Sequence, residues 1–309
     1  MEIVRNTNFD FLGKTRLWVS ISLALVAASI GYVAKNGVRT GVEFSGGTQV
    51  IAKFQSRPAL DRVRSAVEQV APGATIQTFD DPSKNQVLIR VATAVEGELD
   101  KQAQRVLEQL TSNYGENPVV ESSTEIVGPV VGAELTSKAI RLTVLGLLFQ
   151  LIYIGFRFNG FVWGSAATIA VLHDVVVTLG LLAISGYDIT LNVIAALLTL
   201  VGYSVNDTIV IFDRVRENLR QRRKEPLTKI INDSLNQTLS RTLISNGTTF
   251  LTVLGLFLFG GEVLRGFAFT MVVGIIVGSY STIYIASPIV IFWQGLLQRK
   301  PSATAKVAL

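Results

Sequence analysis

Long apolar runs separated by short charged stretches dominate the chain. Six of these runs approach the roughly 20 residues that a helix needs to cross a bilayer; they are Leu17–Val33, Ala139–Phe156, Phe161–Ile184, Leu191–Phe212, Leu243–Phe259 and Gly266–Trp293. The pattern predicts an α-helical polytopic membrane protein with six transmembrane helices. The first helix lies in residues 1–33, and the other five form a bundle within residues 139–293.

The segment between the first two apolar runs, residues 34–138, has the composition of a soluble domain. Its patterns predict four strands and two helices, at Thr48–Phe54, Ala59–Val70, Thr75–Phe79, Gln86–Val91, Leu99–Leu110 and Val119–Ile126. The βαββαβ order is that of a ferredoxin-like α+β domain. Because that fold supports many functions, it predicts a module and no particular activity.

Basic residues predict the orientation of the spans. They collect before the first span, between the second and third, between the fourth and fifth, and in the tail, residues 294–309. Since Lys and Arg mark loops that face the cytoplasm, both termini are expected there and domain 34–138 outside. A cleaved signal peptide is the alternative for the first span, because Val26-Ala27-Ala28 resembles a cleavage site. The length of the run favours a retained span.

The composition argues against several classes of function. The formal net charge of +5 comes from basic residues beside the spans, so nucleic-acid binding is not predicted. With no cysteine and one histidine, disulfides, iron–sulfur clusters and a transition-metal site are not expected. The glycine-rich stretch at residues 41–48 lacks the lysine of a phosphate-binding loop. We therefore expect no cofactor and no metal.

An acid inside the fourth apolar run is the strongest candidate for function. Asp207 shares one predicted helical face with Thr199, Tyr203 and Asn206, at positions i, i+4, i+7 and i+8. An Asp at the centre of a membrane helix costs about 2.5 to 3.5 kcal/mol, so it is a functional hypothesis by default. The alternative is a structural acid that pairs with a neighbouring helix.

Arg241, at the start of the fifth span, is the predicted partner of Asp207. The charge state of a buried acid responds both to desolvation and to a nearby cation. An acid with both in reach can therefore bind and release a proton. Nearer the membrane edge, Asp213 and Arg214 are predicted to form a boundary ion pair that anchors the helix end.

Two further features lie in the third and sixth spans. His173 and Asp174 are adjacent near the middle of the third span, and histidine is the side chain whose ordinary pKa lies nearest physiological pH. A proton relay and structural hydrogen bonding both remain open for this pair. In the sixth span, Gly274 and Gly278 predict close helix packing, and no chemistry is assigned to the polar residues after them.

Several motifs together carry a family resemblance. They extend over nearly the whole chain, at residues 9–14, 44–48, 127–135, 202–218, 240–242 and 280–288. With these motifs the chain resembles the SecF family, the smaller half of the SecDF accessory component of bacterial protein export, within the RND superfamily. One departure is Glu43, where the family commonly has Asp before its Phe-x-Gly-Gly-Thr motif.

The resemblance implies an RND-type half that works without covalent chemistry in the bacterial cytoplasmic membrane. It implies a SecD-like subunit, the SecYEG translocon and an exported unfolded polypeptide as partners, with the proton as coupling ion. The family's intramembrane Asp and the Arg of the next span, implicated in proton movement, match Asp207 and Arg241. A proton-driven exporter of small molecules or lipids and a purely structural scaffold are the alternatives.

Overall fold

A computed structural model describes residues 7–79, 82–91, 98–158 and 160–299. Within them lie ten α-helices and four strands. The helices are α1 Thr15–Asn36, α2 Val42–Ser45, α3 Leu60–Glu68, α4 Leu99–Asn113, α5 Pro129–Arg157, α6 Phe161–Ile184, α7 Leu191–Gln221, α8 Leu227–Phe259, α9 Glu262–Ser281 and α10 Ser287–Arg299. The strands are β1 Gly47–Phe54, β2 Thr75–Phe79, β3 Gln86–Val91 and β4 Val119–Val127.

The described residues contain six helical segments long and apolar enough to cross a membrane. Five of them are α1, α5, α6, α7 and α8; the sixth combines α9 and α10 through a π-helical segment at Thr282–Ala286. This confirms the predicted class of polytopic helical protein. Several helices are longer than their apolar runs, because α7 and α8 continue as polar helix beyond the apolar part.

The helices of the bundle differ in how much protein surrounds them. Helix α9 packs against α6, α7 and α8, and α1 and α5 pack against α6. Along α5, large apolar side chains such as Phe149 and Phe156 are exposed. An apolar surface of this kind is expected where a helix faces hydrocarbon. Helices α6, α7 and α9, which pack against several other helices, form the interior of the bundle.

The segment between α1 and α5 forms an antiparallel sheet with two helices on one face. The predicted βαββαβ order of elements is present, with α2 added before β1 and a short 3₁₀ turn between β2 and β3. The strand order is β2–β3–β1–β4. Alternate residues of β1, Val50, Ala52 and Phe54, are buried against α3 and α4, as period-two side-chain alternation requires.

The domain contacts the bundle at the loop between α6 and α7. Arg90 of β3 forms an ion pair with Asp188 of that loop, and both side chains are largely buried. The backbone of the segment after α1 pairs with the same loop, where Gly41 N donates to the carbonyl of Ile189 at 2.8 Å. The domain is therefore attached to the loop that joins two central helices.

Candidate functional site

Asp207 lies in the middle of α7 and is 7% exposed. Its carboxylate accepts hydrogen bonds from two groups on α8, the Thr242 hydroxyl at 2.9 Å and the Asn246 amide at 3.4 Å. The same Asn246 amide nitrogen also donates to the Ser279 hydroxyl of α9 at 2.6 Å. The first candidate site therefore joins α7, α8 and α9 through neutral polar groups.

Asp174 of α6 is fully buried and forms a second polar centre. It accepts hydrogen bonds from the hydroxyls of Ser204 at 2.7 Å and Ser281 at 2.8 Å. The His173 Nδ1 atom lies 3.0 Å from its other carboxylate oxygen. His173 and Asp174 therefore contact each other through their side chains, and Asp174 connects α6 to α7 and α9.

Both acids are connected to the helices α7 and α9 by the hydrogen bonds described above. Ser204, which binds Asp174, precedes Asp207 by three residues, an axial rise of about 4.5 Å. On α9, Gly278 allows this approach, because a Cβ there would lie 3.3 Å from the Ser204 Cβ and 3.6 Å from an Asp174 oxygen. The close packing predicted from Gly278 brings an acid and its donors together.

The residues predicted to share a face with Asp207 have separate surroundings. The Tyr203 hydroxyl donates to the backbone carbonyl of Ser245 at 3.0 Å, so it contacts α8. Asn206 is exposed on the surface of the single chain. Adjacent residues of a helix point about 100° apart, which is why Asn206 leaves the interior where Asp207 enters it. The expected single polar face is therefore divided between the bundle interior and its surface.

The predicted pairing of Asp207 with Arg241 is absent from the structure. Arg241 is exposed, and Thr242 is the residue that contacts the carboxylate. Adjacent residues of a helix point about 100° apart, so Arg241 and Thr242 of α8 cannot both point at the same atom of α7. In this structure the fifth span contacts Asp207 through Thr242, the residue next to the predicted Arg241.

The predicted boundary ion pair is also corrected. Asp213 pairs with Arg157 at the end of α5, at 2.8 Å. Arg214 pairs instead with Glu217, one turn further along α7, at 2.7 Å. Both residues still form ion pairs near the end of the apolar part of α7, but with different partners.

Sequence reasoning missed most of the hydrogen-bond donors around the two acids. No charge marks the donors Thr242, Ser204 and Ser281, or Ser279, which accepts from Asn246, although all lie within or beside apolar runs. Hydrogen bonding and burial act in opposite directions on the charge of a carboxylate, so small changes in these contacts alter its proton occupancy. Among the described residues, no group of three or more acidic, histidine or cysteine side chains is placed to hold a metal.

These features define a class of protein: a polytopic membrane protein with two ionisable centres inside its bundle and a small α+β domain outside it. A family model for the C-terminal part of the protein export membrane proteins SecD/SecF matches residues 106–296. The protein translocase subunit SecF of Calditerrivibrio nitroreducens is 40% identical over 303 residues, which cover 97% of this chain and 99% of the relative.

Two solved structures are similar over most of the chain. The crystal structure of SecDF from Thermus thermophilus, a translocon-associated membrane protein, has a TM-score of 0.83 and 35% identity, covering 94% of this chain and 39% of that one. SecDF in a super-membrane-facing form has a TM-score of 0.72 and 34% identity, covering 99% and 41%. This chain spans about two fifths of each solved chain. It belongs to the SecF family of protein translocase subunits, which confirms the resemblance found in its motifs.

Proposed function

We propose that this chain is the membrane subunit of a SecDF-type complex that assists SecYEG-dependent protein export by coupling proton movement to movement of its domain 34–138. The observation that carries this proposal is the position of Asp207, a buried carboxylate in mid-span whose hydrogen-bond donors are neutral. One charge that crosses the membrane field gains about 2.3 kcal/mol per 100 mV. A few protons therefore supply enough energy for a domain movement.

Asp174 and His173 are proposed as a second proton-binding centre beside Asp207. Ser204 and Asp207 belong to the same turn of α7, so a change at either acid acts on one helix.

Arg241 has a proposed role through rotation of α8. Because Arg241 adjoins Thr242, a rotation of about 100° exchanges a hydroxyl for a cation beside Asp207. Proton release from Asp207 is favoured when the cation is near.

The contact between domain and bundle provides a route for coupling. The α6–α7 loop connects the helix that carries Asp174 to the helix that carries Asp207, and its Asp188 holds Arg90 of β3. A shift of α6 relative to α7 is thus transmitted directly to the sheet. We propose that this movement acts on an exported unfolded polypeptide outside the membrane.

The surface of the single chain supports a second subunit. Asn206 and Arg241 are exposed on α7 and α8, and neither has a hydrogen-bond or ion-pair partner among the described residues. Polar groups that face hydrocarbon without a partner are costly. We propose that a SecD-like subunit packs against this surface. The side with the basic loops is proposed to be cytoplasmic, together with both termini.

The experiment is protein export in vesicles that contain the complete complex and the SecYEG channel, with an imposed proton gradient. Asp207→Asn keeps the size of the side chain and removes its charge, so the stimulation of export by the gradient is expected to disappear. Asp213→Asn is the matched control, because Asp213 lies six residues away on the same helix in a partly exposed ion pair. Export with undiminished stimulation in Asp207→Asn contradicts the proposal.

A further inference from the structure

An apolar cavity of about 860 Å³ opens between α1, α6 and the α9–α10 segment. Its wall on α1 extends from Thr15 to Val26, and α6 contributes residues from Ile169 to Val176. Pro288 and Phe292 of α10 form another wall. The volume lies within the range of ligand pockets, about 300 to 1,000 Å³. The site is separate from the contacts of Asp207.

The cavity lies toward the N-terminal end of α1, away from a close contact of α1 with α6. Ser29 of α1 is buried against Gly180 of α6, and a Cβ at Gly180 would lie 2.2 Å from the Ser29 hydroxyl. Toward the other end of α1, aromatic contacts hold the helix to the sixth span: Trp18 stacks on Tyr284 with ring centroids 4.7 Å apart. Near Trp18, helix α1 is therefore held against the sixth span, and space remains between α1 and α6.

The length of the cavity matches one leaflet of a bilayer. Arg16 and Val26 are ten residues apart on α1, a rise of about 15 Å. The hydrocarbon core of a bilayer is about 30 Å thick, so the cavity extends from the level of the headgroups to the midplane. His173 lines its inner part, and its Nε2 atom has no hydrogen-bond partner among the described residues.

Charge identifies the class of molecule that fits. Arg16 lies at the headgroup end of the cavity, is exposed, and has no ion-pair partner among the described residues. A guanidinium binds phosphate with two parallel hydrogen bonds, and basic pockets between membrane helices are sites for anionic lipid headgroups. We propose that this cavity binds one anionic phospholipid, with an acyl chain along α1 and α6 and its phosphate on Arg16.

Photolabelling tests the proposal with the full chain in vesicles. The vesicles consist of phosphatidylcholine with a small fraction of one photoreactive lipid. That lipid is either phosphatidylglycerol or phosphatidylcholine, and in both cases it carries the photoreactive group on one acyl chain. Peptide mapping of the wild type is expected to place the label on the cavity residues of α1, α6 and α10. The anionic lipid is expected to label about fivefold more than the neutral lipid, which is the preference supplied by one basic residue near an anionic group.

Two pairs of variants separate the cavity from the general membrane surface. Ser20→Trp fills the cavity, so photolabelling of this variant should be at least fivefold weaker than that of the wild type. Leu25→Trp lies on the same helix but away from the lining, so this variant should be labelled like the wild type. Arg16→Gln should lose the preference for the anionic lipid. Lys14→Gln removes the same charge two residues away, outside the lining, and should keep the preference.

The proposal is overturned by either of two results. Unchanged labelling in Ser20→Trp shows that the acyl chain does not occupy the cavity. Equal labelling by the two lipids in the wild type shows that the cavity does not select an anionic lipid. Helical circular dichroism and elution as a single species, measured for every variant, ensure that the compared proteins are folded.

Discussion

Asp174 offers the sharpest test of the interior of the bundle, because two substitutions of this residue should have different outcomes. Asp174→Asn keeps one oxygen that can accept hydrogen bonds from Ser204 and Ser281. Its amide nitrogen can donate to His173 Nδ1 when the ring carries its hydrogen on Nε2. Asp174→Ala keeps none of these contacts. We therefore expect Asn to cost about 1 kcal/mol or less and Ala to cost much more.

The cost of Asp174→Ala can be worked out from the alternative partners of each donor. Ser281 already lies 3.1 Å from the carbonyl oxygen of Gly278, so its hydroxyl keeps an acceptor. Ser204 and His173 Nδ1 have only Asp174 as a side-chain partner in the described structure. Two buried polar groups left unpaired cost about 1 to 3 kcal/mol each, or about 2 to 6 kcal/mol together.

Thermal unfolding of the purified chain measures this difference. At about 2 °C per kcal/mol for a chain of this size, Asp174→Ala should unfold roughly 4 to 12 °C below the wild type and Asp174→Asn within about 2 °C of it. Asp61→Ala, at an exposed ion pair, is the control and should change little. Equal midpoints for the Ala and Asn variants would refute Asp174 as the acceptor that joins the three helices.

Three further outcomes are expected. Asp188→Asn leaves the largely buried Arg90 without its anion, so limited proteolysis should release domain 34–138 faster than in the wild type. Gly274→Ala places a Cβ 2.6 Å from side-chain carbons of α7 and should lower stability by about 1 to 3 kcal/mol in thermal unfolding; Gly202→Ala, with open space, should not. Burial and a neighbouring carboxylate raise the pKa of Glu125 above its ordinary value of 4.5. The contribution of Glu125 to stability should therefore fall as pH rises above 4.5, so the stability of the wild type relative to Glu125→Gln should decrease between pH 4 and 8 in thermal unfolding.

The third span and the strands of the domain could be predicted almost to the residue. Helix α6 begins at Phe161 and ends at Ile184 as expected, because Gly160 and the polar loop after Ile184 interrupt the apolar run on both sides. Helix α8 was predicted sixteen residues too short at its start. Hydropathy marks only the part of a helix that meets hydrocarbon, whereas the segment from Leu227 is polar and still helical.

The candidate site was only partly predictable for a related reason. A charge in an apolar run is conspicuous, so Asp207 and Asp174 could be identified directly. A hydroxyl in a membrane helix commonly bonds to its own backbone, as Thr199 does, and gives no sign of a partner on another helix. The choice between Arg241 and Thr242 depends on the rotation of α8 about its axis. Packing of the whole bundle determines that rotation.

A measurement of proton flux shows whether Asp207 carries protons during export, as proposed above. Vesicles that contain the complete complex, the SecYEG channel and an export substrate are loaded with a pH-sensitive dye, and the decay of an imposed gradient is followed. We expect faster decay when substrate is exported through the wild type, and no such acceleration in Asp207→Asn. Equal acceleration in both proteins would show that Asp207 does not carry the protons.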